Sequence, residues 1–378
     1  MKYKVFLLLF FALSSFSIAA DRPTWTMDVK KMNFPQKIYS PKEPVLDPNY
    51  KVQFTPDDKV LISFLDRRPQ TELVTKATPE KSGSFFVVVL FSRETGELNK
   101  RVEWPVIEES VPNQILRYGS RIYPLPSGGY VGIINRNLQV FDSSFNVIYE
   151  RILERHKEER YDLITPLYGQ FFIFKSWDGA YFSTEIINSK TFDTVDKFSI
   201  PNGVPMEIWG DRLLATWRTT GINEVRFVEK KVGDSQWNVL ETVQGLRAEA
   251  KFIYNGTIIV MNYSGKVPNT EGFWFTIEDG KKGDVVFEAI GGFKPSWKTP
   301  IIATRPSYYS GIRRTLDLNS LNGIEVYDIS TRQILFTTKK YNDIADYAIS
   351  PNGDSIVLMT KRKIELYNVP NAKKSVNK

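Results

Sequence analysis

The residues able to do chemistry are few, and their types exclude much. His156 is the only histidine, inside the charged run at 151–161, and there is no cysteine. One imidazole cannot build a multi-histidine metal set, and without thiols there is no cysteine nucleophile, thiolate-bound metal or lipidated cysteine. The run around His156 reads as a loop or one to three turns of surface helix, with the imidazole in solvent. No Gly-x-Ser-x-Gly elbow, phosphate-cradling glycine loop, His-Glu-x-x-His or EF-hand loop occurs. Carboxylates come in close pairs at Asp57 and Asp58, Asp193 and Asp196, and Asp343 and Asp346. Such oxygens can hold calcium, but turn capping explains them at least as well. The sequence therefore implies no metal and no cofactor. A hydrolase, lyase or lactonase would have to assemble carboxylates such as Asp66, Asp178 and Glu207 from distant segments.

A second set of residues recurs with the architecture. Each follows an apolar strand and opens a polar connection: Arg67 and Arg68, Arg136, Trp177, Trp217 and Arg218, Tyr263, Arg305 and Tyr308, and Arg362. Arginine offers a planar donor fork and the aromatics a flat face with a polar edge. Gathered at one mouth, they would suit an anionic or sugar-like ligand, or a protein tail. Scattered, they are ordinary surface and packing residues.

What would gather them is a repeat. From Tyr50 onward, short β-rich runs alternate with Gly/Asp/Asn/Ser/Pro turns, and no helical stripe of useful length intervenes. Turn-plus-apolar-strand segments occupy 54–64, 123–134, 167–174, 207–217, 252–262 and 347–360, with a degenerate member at 300–304. Between them lie strand-turn-strand segments at 87–104, 138–152, 183–198, 225–242, 273–289 and 324–340. The latter recur every 42 to 50 residues or so, roughly the 40–50-residue period of a four-stranded propeller blade. The fold class is therefore all-β, a single β-propeller. The last repeat has a third strand at 363–369 but no fourth, and a spare strand exists at 24–32. Closing the ring with that N-terminal strand gives seven blades. The blade at 293–340 is irregular, so six or eight also fit the spacing.

The turns Phe54-Thr55-Pro56-Asp57-Asp58 and Ile349-Ser350-Pro351-Asn352-Gly353 resemble those of exported bacterial WD40-like and YVTN-like propellers. The outer turns Glu94-Thr95-Gly96-Glu97-Leu98 and Asp328-Ile329-Ser330-Thr331-Arg332 resemble that family's as well. Proline presets φ, Asp or Asn caps, and glycine takes positive φ. Clear motifs occupy only two or three blades, and regular Gly-His and Trp-Asp pairs are missing. The resemblance implies architecture; its members include enzymes and pure binding scaffolds.

The ends of the chain suggest its destination. Residues 1–20 combine Lys2 and Lys4, an apolar core at 5–13 and small residues at Ser17, Ala19 and Ala20, the layout of a cleavable secretory signal. An extended, proline-punctuated segment follows at 21–49, then the propeller at 50–370 and a basic polar tail at 371–378. No later segment is long and apolar enough to span a bilayer. The net charge of +7 includes the two signal lysines and is spread along the chain, a poor footprint for nucleic acid. Asn255-Gly256-Thr257 and Asn262-Tyr263-Ser264 match the glycosylation triplet, which matters only in a eukaryotic host. The expectation is a periplasmic or secreted binding module or scaffold that recognises a protein, peptide or glycan through one face. The alternative is a propeller hydrolase, lyase or lactonase with its site in the central channel.

Overall fold

The computed structural model describes residues 22–34, 50–67, 84–106, 109–111, 114–116, 120–135, 137–153, 160–165, 169–177, 182–199, 203–218, 224–244, 247–264, 271–278, 281–288, 293–304, 323–339 and 344–370. The chain begins with β1 (Trp25–Asp28) and then builds blade 1 from β2 (Lys51–Phe54), β3 (Val60–Arg67), β4 (Ser84–Phe91) and β5 (Leu98–Pro105). A ribbon of β6 (Glu109–Val111) and β7 (Gln114–Leu116), unforeseen in the sequence, lies in the crossover. Blade 2 is β8 (Arg121–Pro124), β9 (Tyr130–Ile134), β10 (Asn137–Phe141) and β11 (Val147–Ile152). Blade 3 is β12 (Arg160–Ile164), β13 (Phe171–Trp177), β14 (Phe182–Asn188) and β15 (Thr194–Ser199). Blade 4 comprises β16 (Gly203–Trp209), β17 (Arg212–Arg218), β18 (Glu224–Lys231) and β19 (Asn238–Gln244). Blade 5 comprises β20 (Arg247–Phe252), β21 (Ile258–Ser264), β22 (Glu271–Glu278) and β23 (Lys281–Glu288). The short blade 6 has β24 (Phe293–Pro295), β25 (Ile301–Thr304), β26 (Glu325–Asp328) and β27 (Gln333–Thr337). Blade 7 has β28 (Ile344–Ile349), β29 (Ser355–Thr360) and β30 (Lys363–Asn368), and β1 adds antiparallel to β30 as its fourth strand.

Each blade is thus a four-stranded antiparallel sheet, and the N-terminal strand closes the ring. Why these runs form blades follows from their burial. Second strands are largely apolar on both faces, as in β29, where every residue is buried, while third strands such as β10 and β26 alternate buried and half-buried positions. Fourth strands alternate exposed and half-buried positions, as in β11 and β15. A sheet apolar on both faces must be covered twice, and stacking blades around an axis does so. Each junction accordingly holds its own core. Val52, Phe64 and Phe91 of blade 1 pack with Val357, Met359 and Leu366 of blade 7. The other junctions repeat the arrangement around the ring.

The turn chemistry is local and repeated. Asp58 N donates to Thr55 O and Gly353 N to Ser350 O, both at 2.9 Å. The same bond joins Gly128 to Leu125 and Gly256 to Ile253. The donor takes positive φ each time: 63° at Asp58, 90° at Gly128, 80° at Gly256 and 73° at Gly353. Asp58 is an aspartate standing where blades 2, 5 and 7 use glycine, one of the few side chains tolerated there. At the outer turns Asp142, Asn188 and Asp328 accept the N–H groups of the residues two positions on, each at 2.8 Å. Among the described residues no helix is long and apolar enough to cross a membrane, which says nothing of membrane β-barrels.

The seam between blades 7 and 1 is latched by side chains. Trp25 of β1 donates its indole N–H to the Arg93 carbonyl at 2.7 Å and lies against Gly96. The Arg93 guanidinium pairs with Asp58 in its own blade and reaches Asp354 at 2.8 Å and Ser355 at 2.7 Å in blade 7. A polar cleft of about 540 Å³ opens beside this latch, lined by Asp57, Lys59, Glu94, Asn99 and Asn368 among others.

Candidate functional site

The first strand of each blade, β2, β8, β12, β16, β20, β24 or β28, sits at the edge of its sheet, and several of these strands touch one another around the axis. An edge strand exposes unpaired backbone groups. Here, polar side chains from one blade satisfy the next. Gln53 of β2 donates to the Ile122 carbonyl of β8 at 2.9 Å. Arg121 of β8 pairs with Asp162 of β12, which also lies 3.3 Å from Lys175 of β13. Lys251 of β20 donates to the Phe293 carbonyl of β24 at 3.2 Å, with its ammonium 5.4 Å over the Phe293 ring. Lys294 of β24 reaches Asp346 of β28 at 2.6 Å and also donates to the Tyr347 carbonyl. Asp346 then accepts the Val52 N–H of β2 at 2.8 Å, which joins blade 7 to blade 1.

Blade 4 departs from this pattern. Its inner strand carries Glu207, which is 8% exposed, and its Oε1 is buried without a hydrogen-bond partner. The β16–β17 register slips between Pro205 and Glu207. Pro205 has no N–H to give the ladder, and a bulge is where a sheet accommodates that and re-aims a side chain. Burial pushes the Glu207 carboxyl from its ordinary 4.5 up to about 7, against the pull of Lys251, the Ile208 N–H and Lys175. Burial also draws the Lys294 ammonium below the usual lysine value, with Asp346 opposing it. Tyr123, beside Arg121 on β8, is pushed up by burial.

The described inner lining is thus Lys51, Arg121, Lys175, Lys251 and Lys294 against Asp162, Glu207 and Asp346, with cations in excess. Such a ring can hold an anion. It can also hold a proton at Glu207 near neutrality, the range in which a carboxyl serves acid-base chemistry.

Of the residues singled out from the sequence, those described stand at the connections between second and third strands. Arg67, Trp177 and Arg218 end β3, β13 and β17, Tyr263 is the penultimate residue of β21, and Arg362 lies in the turn from β29 to β30. In a propeller these connections leave at one end of the axis. Trp217 is 42% exposed and pairs across the sheet with Gly203 and Arg226. Arg362 is exposed. Arg68, Arg136, Arg305, Tyr308, His156, Asp178 and Asp343 lie outside the described residues.

Of the carboxylates considered for calcium, Asp57, Asp58, Asp196 and Asp346 are engaged by cations. Asp57 meets Lys59 at 2.6 Å and Asp58 meets Arg93. Asp196 meets the buried Lys230 at 2.6 Å and accepts the Gly233 N–H at 3.0 Å. Asp66 lies 3.9 Å from Arg101, away from Glu207 in another blade.

The inner-strand ring escaped the sequence reading. A signal was present: a charged or amide residue within the short first strand of every repeat, as in Lys51 and Gln53 of β2 or Lys251 of β20.

Fold and site together define a seven-bladed β-propeller. No protein-family model and no curated protein matches the chain. Solved structures that resemble it are propellers with little sequence in common. The β-propeller domain of the Trilobed protease from Pyrococcus furiosus is 10% identical with a TM-score of 0.56, covering 86% of this chain and 96% of that one. A chain of Kuenenia stuttgartiensis hydrazine synthase is 12% identical with a TM-score of 0.53, covering 88% and 99%. The WD40 domain of Toxoplasma gondii coronin is 9% identical with a TM-score of 0.51, covering 93% and 88%. At these identities the likeness is one of fold.

Proposed function

We propose that this chain is an exported propeller that binds rather than transforms its ligand, and that the ligand is an acidic peptide segment of a partner protein. The carrying observation is the excess of lysine and arginine over carboxylate among the described inner-strand side chains. Export rests on residues 1–20, which read as a secretory signal. An acidic peptide suits this lining better than a neutral glycan. The described groups are mostly ion-pairing side chains, and Trp217 is the one exposed tryptophan among them. Nucleic acid would meet the same charges but is a poor match for an exported chain.

One observation favours the alternative of a hydrolase, lyase or lactonase: Glu207 is buried and poised near neutrality. Its described neighbours on the axis weigh against it. Asp162 and Asp346 are both ion-paired, which leaves Glu207 without a second carboxylate poised as acid or base.

The test is titration of a fluorescent hexaglutamate peptide into the protein comprising residues 21–378. Binding should weaken with salt and fall at least tenfold in Lys251→Ala. Absence of binding at low salt, or equal binding by the Lys251→Ala variant, refutes the axial anion site.

A further inference from the structure

We propose that the gap at blade 4 is an anion site closed by a proton: Glu207, in its acid form, donates its hydrogen to a ligand carboxylate drawn in by Lys175 and Lys251. This rests on the axial anion site and adds its regulation.

The geometry is that of an interrupted ring. Side-chain bonds run from blade 4's neighbours outward, through Asp162 and Arg121 on one side and through Phe293, Lys294 and Asp346 on the other. At blade 4 itself stands a carboxyl oxygen that is buried and unpartnered. A buried carboxyl oxygen without a partner is costly, and a ligand that supplies the missing hydrogen bond relieves that cost. The charged groups that act on Glu207 come from both flanking blades, Lys175 on β13 and Lys251 on β20. Its partner on the adjacent strand is the apolar Leu214. Lys175 lies beside Asp162 and Lys251 donates to the Phe293 carbonyl, and neither bonds the buried Glu207 Oε1. When Glu207 is ionised, blade 4 presents an anion to an arriving anion. When it is protonated, the same atoms present one hydrogen-bond donor beside two cations.

The proton balance is simple. Above pH 7 the site must take one proton from solvent to bind; below it the proton is already there. Hexaglutamate is a suitable probe because its carboxylates stay ionised from pH 6 to pH 8, and sulfate serves as a permanently charged small ion. The wild-type chain should bind hexaglutamate about tenfold more weakly at pH 8 than at pH 6. Calorimetry at pH 8 in buffers of different ionisation enthalpy should register uptake of close to one proton. In Glu207→Gln, affinity should be the same at both pH values and the proton uptake should vanish. Other groups titrating in this window are common to both proteins, so the difference between them belongs to Glu207. Sulfate following the same pattern assigns the site to small anions as well; sulfate failing to bind restricts it to a chain of carboxylates. Binding lost in Lys251→Ala but equal at pH 6 and pH 8 in the wild type refutes the proton gate and leaves the anion site standing. No hexaglutamate binding at either pH refutes both.

Discussion

Replacing Glu207 by glutamine should make this protein more stable, by an amount that grows as pH rises from about 4.5 to about 7 and is constant above. Glutamine copies the shape and hydrogen bonding of the protonated carboxyl but cannot ionise. In the native chain burial raises the Glu207 carboxyl to about 7, while in the unfolded chain it returns to 4.5. Between those values the native state holds a proton that the unfolded state has released, so stability falls as pH rises across that window. Below 4.5 the group is neutral in both states and contributes no difference. Above 7 it is charged in both, and the full penalty applies. The difference in pKa corresponds to about 3 kcal/mol at pH 8, and less than about 1 kcal/mol at pH 5. The attraction of Lys175 and Lys251 is already contained in the raised value, so it is not subtracted again.

For a chain of this length about 3 kcal/mol is a rise of roughly 4 °C in the melting temperature. Thermal unfolding of Glu207→Gln and the wild type, followed by circular dichroism at pH 5 and pH 8 without ligand, measures it. The expected result is an offset that is small at pH 5 and several degrees at pH 8. An equal offset at both, or a variant less stable at pH 8, would mean that the carboxylate is compensated in the native state. The argument from an unpartnered, buried oxygen would then fail.

Two further substitutions test how the ring is built. Arg93→Ala removes the latch between blades 7 and 1 and leaves Asp354 and Asp58 unpaired. A broken buried ion pair costs about 3–5 kcal/mol, and the 34% exposure of the Asp58 side chain lowers this to about 2 kcal/mol. Although burial opposes it, the Arg93 and Ser350 hydrogen bonds leave Asp354 below its ordinary 3.8. The stability that Asp354 contributes is therefore present above pH 3.8 and lost on acidification below it, so denaturant midpoints of wild type and variant should converge in acid; a constant gap would contradict the latch. Gly353→Ala should cost about 1–2 kcal/mol for the left-handed backbone alone. It should cost more from overlap, because a Cβ there would lie 2.7 Å from Thr299 Oγ1 and 2.8 Å from Ile301 Cδ1. A melting temperature within a degree of wild type would mean that the turn relaxes freely.

The architecture was legible because its physics is local and repeated. Alternating apolar runs, the turns at Asp58 and Gly353, and an unpaired third strand with a spare first one all follow from short-range rules. Blade 6 shows the limit of that reading. Its inner strand is Phe293–Pro295, too short to announce itself, and only the pairing of β24 with β25 reveals it. The spare strand was placed at 24–32 and is shorter, Trp25–Asp28. Val29 and Phe34 leave the sheet to pack in the core of the seam.

The site was less legible, for a reason rooted in the fold. A connection after a strand looks functional in sequence because it is polar and flanked by apolar runs, so the arginines and aromatics after the second strands drew attention. A charge within a three- to seven-residue inner strand looks instead like an imperfection in an apolar pattern. What converts Lys51, Lys251, Lys294 and Asp346 into a set is that the first strand of each blade is an edge with unpaired carbonyls and N–H groups. An edge facing an axis is capped from the neighbouring blade by polar side chains, Gln53, Lys251, Lys294 and Asp346 among them. Most of those charges also close junctions between blades. Glu207 stands apart because the bulge at Pro205 re-aims its strand and the flanking lysines are bonded elsewhere. Its buried Oε1 has no partner and joins it to neither flanking blade, unlike the carboxylates Asp162 and Asp346 on the inner strands.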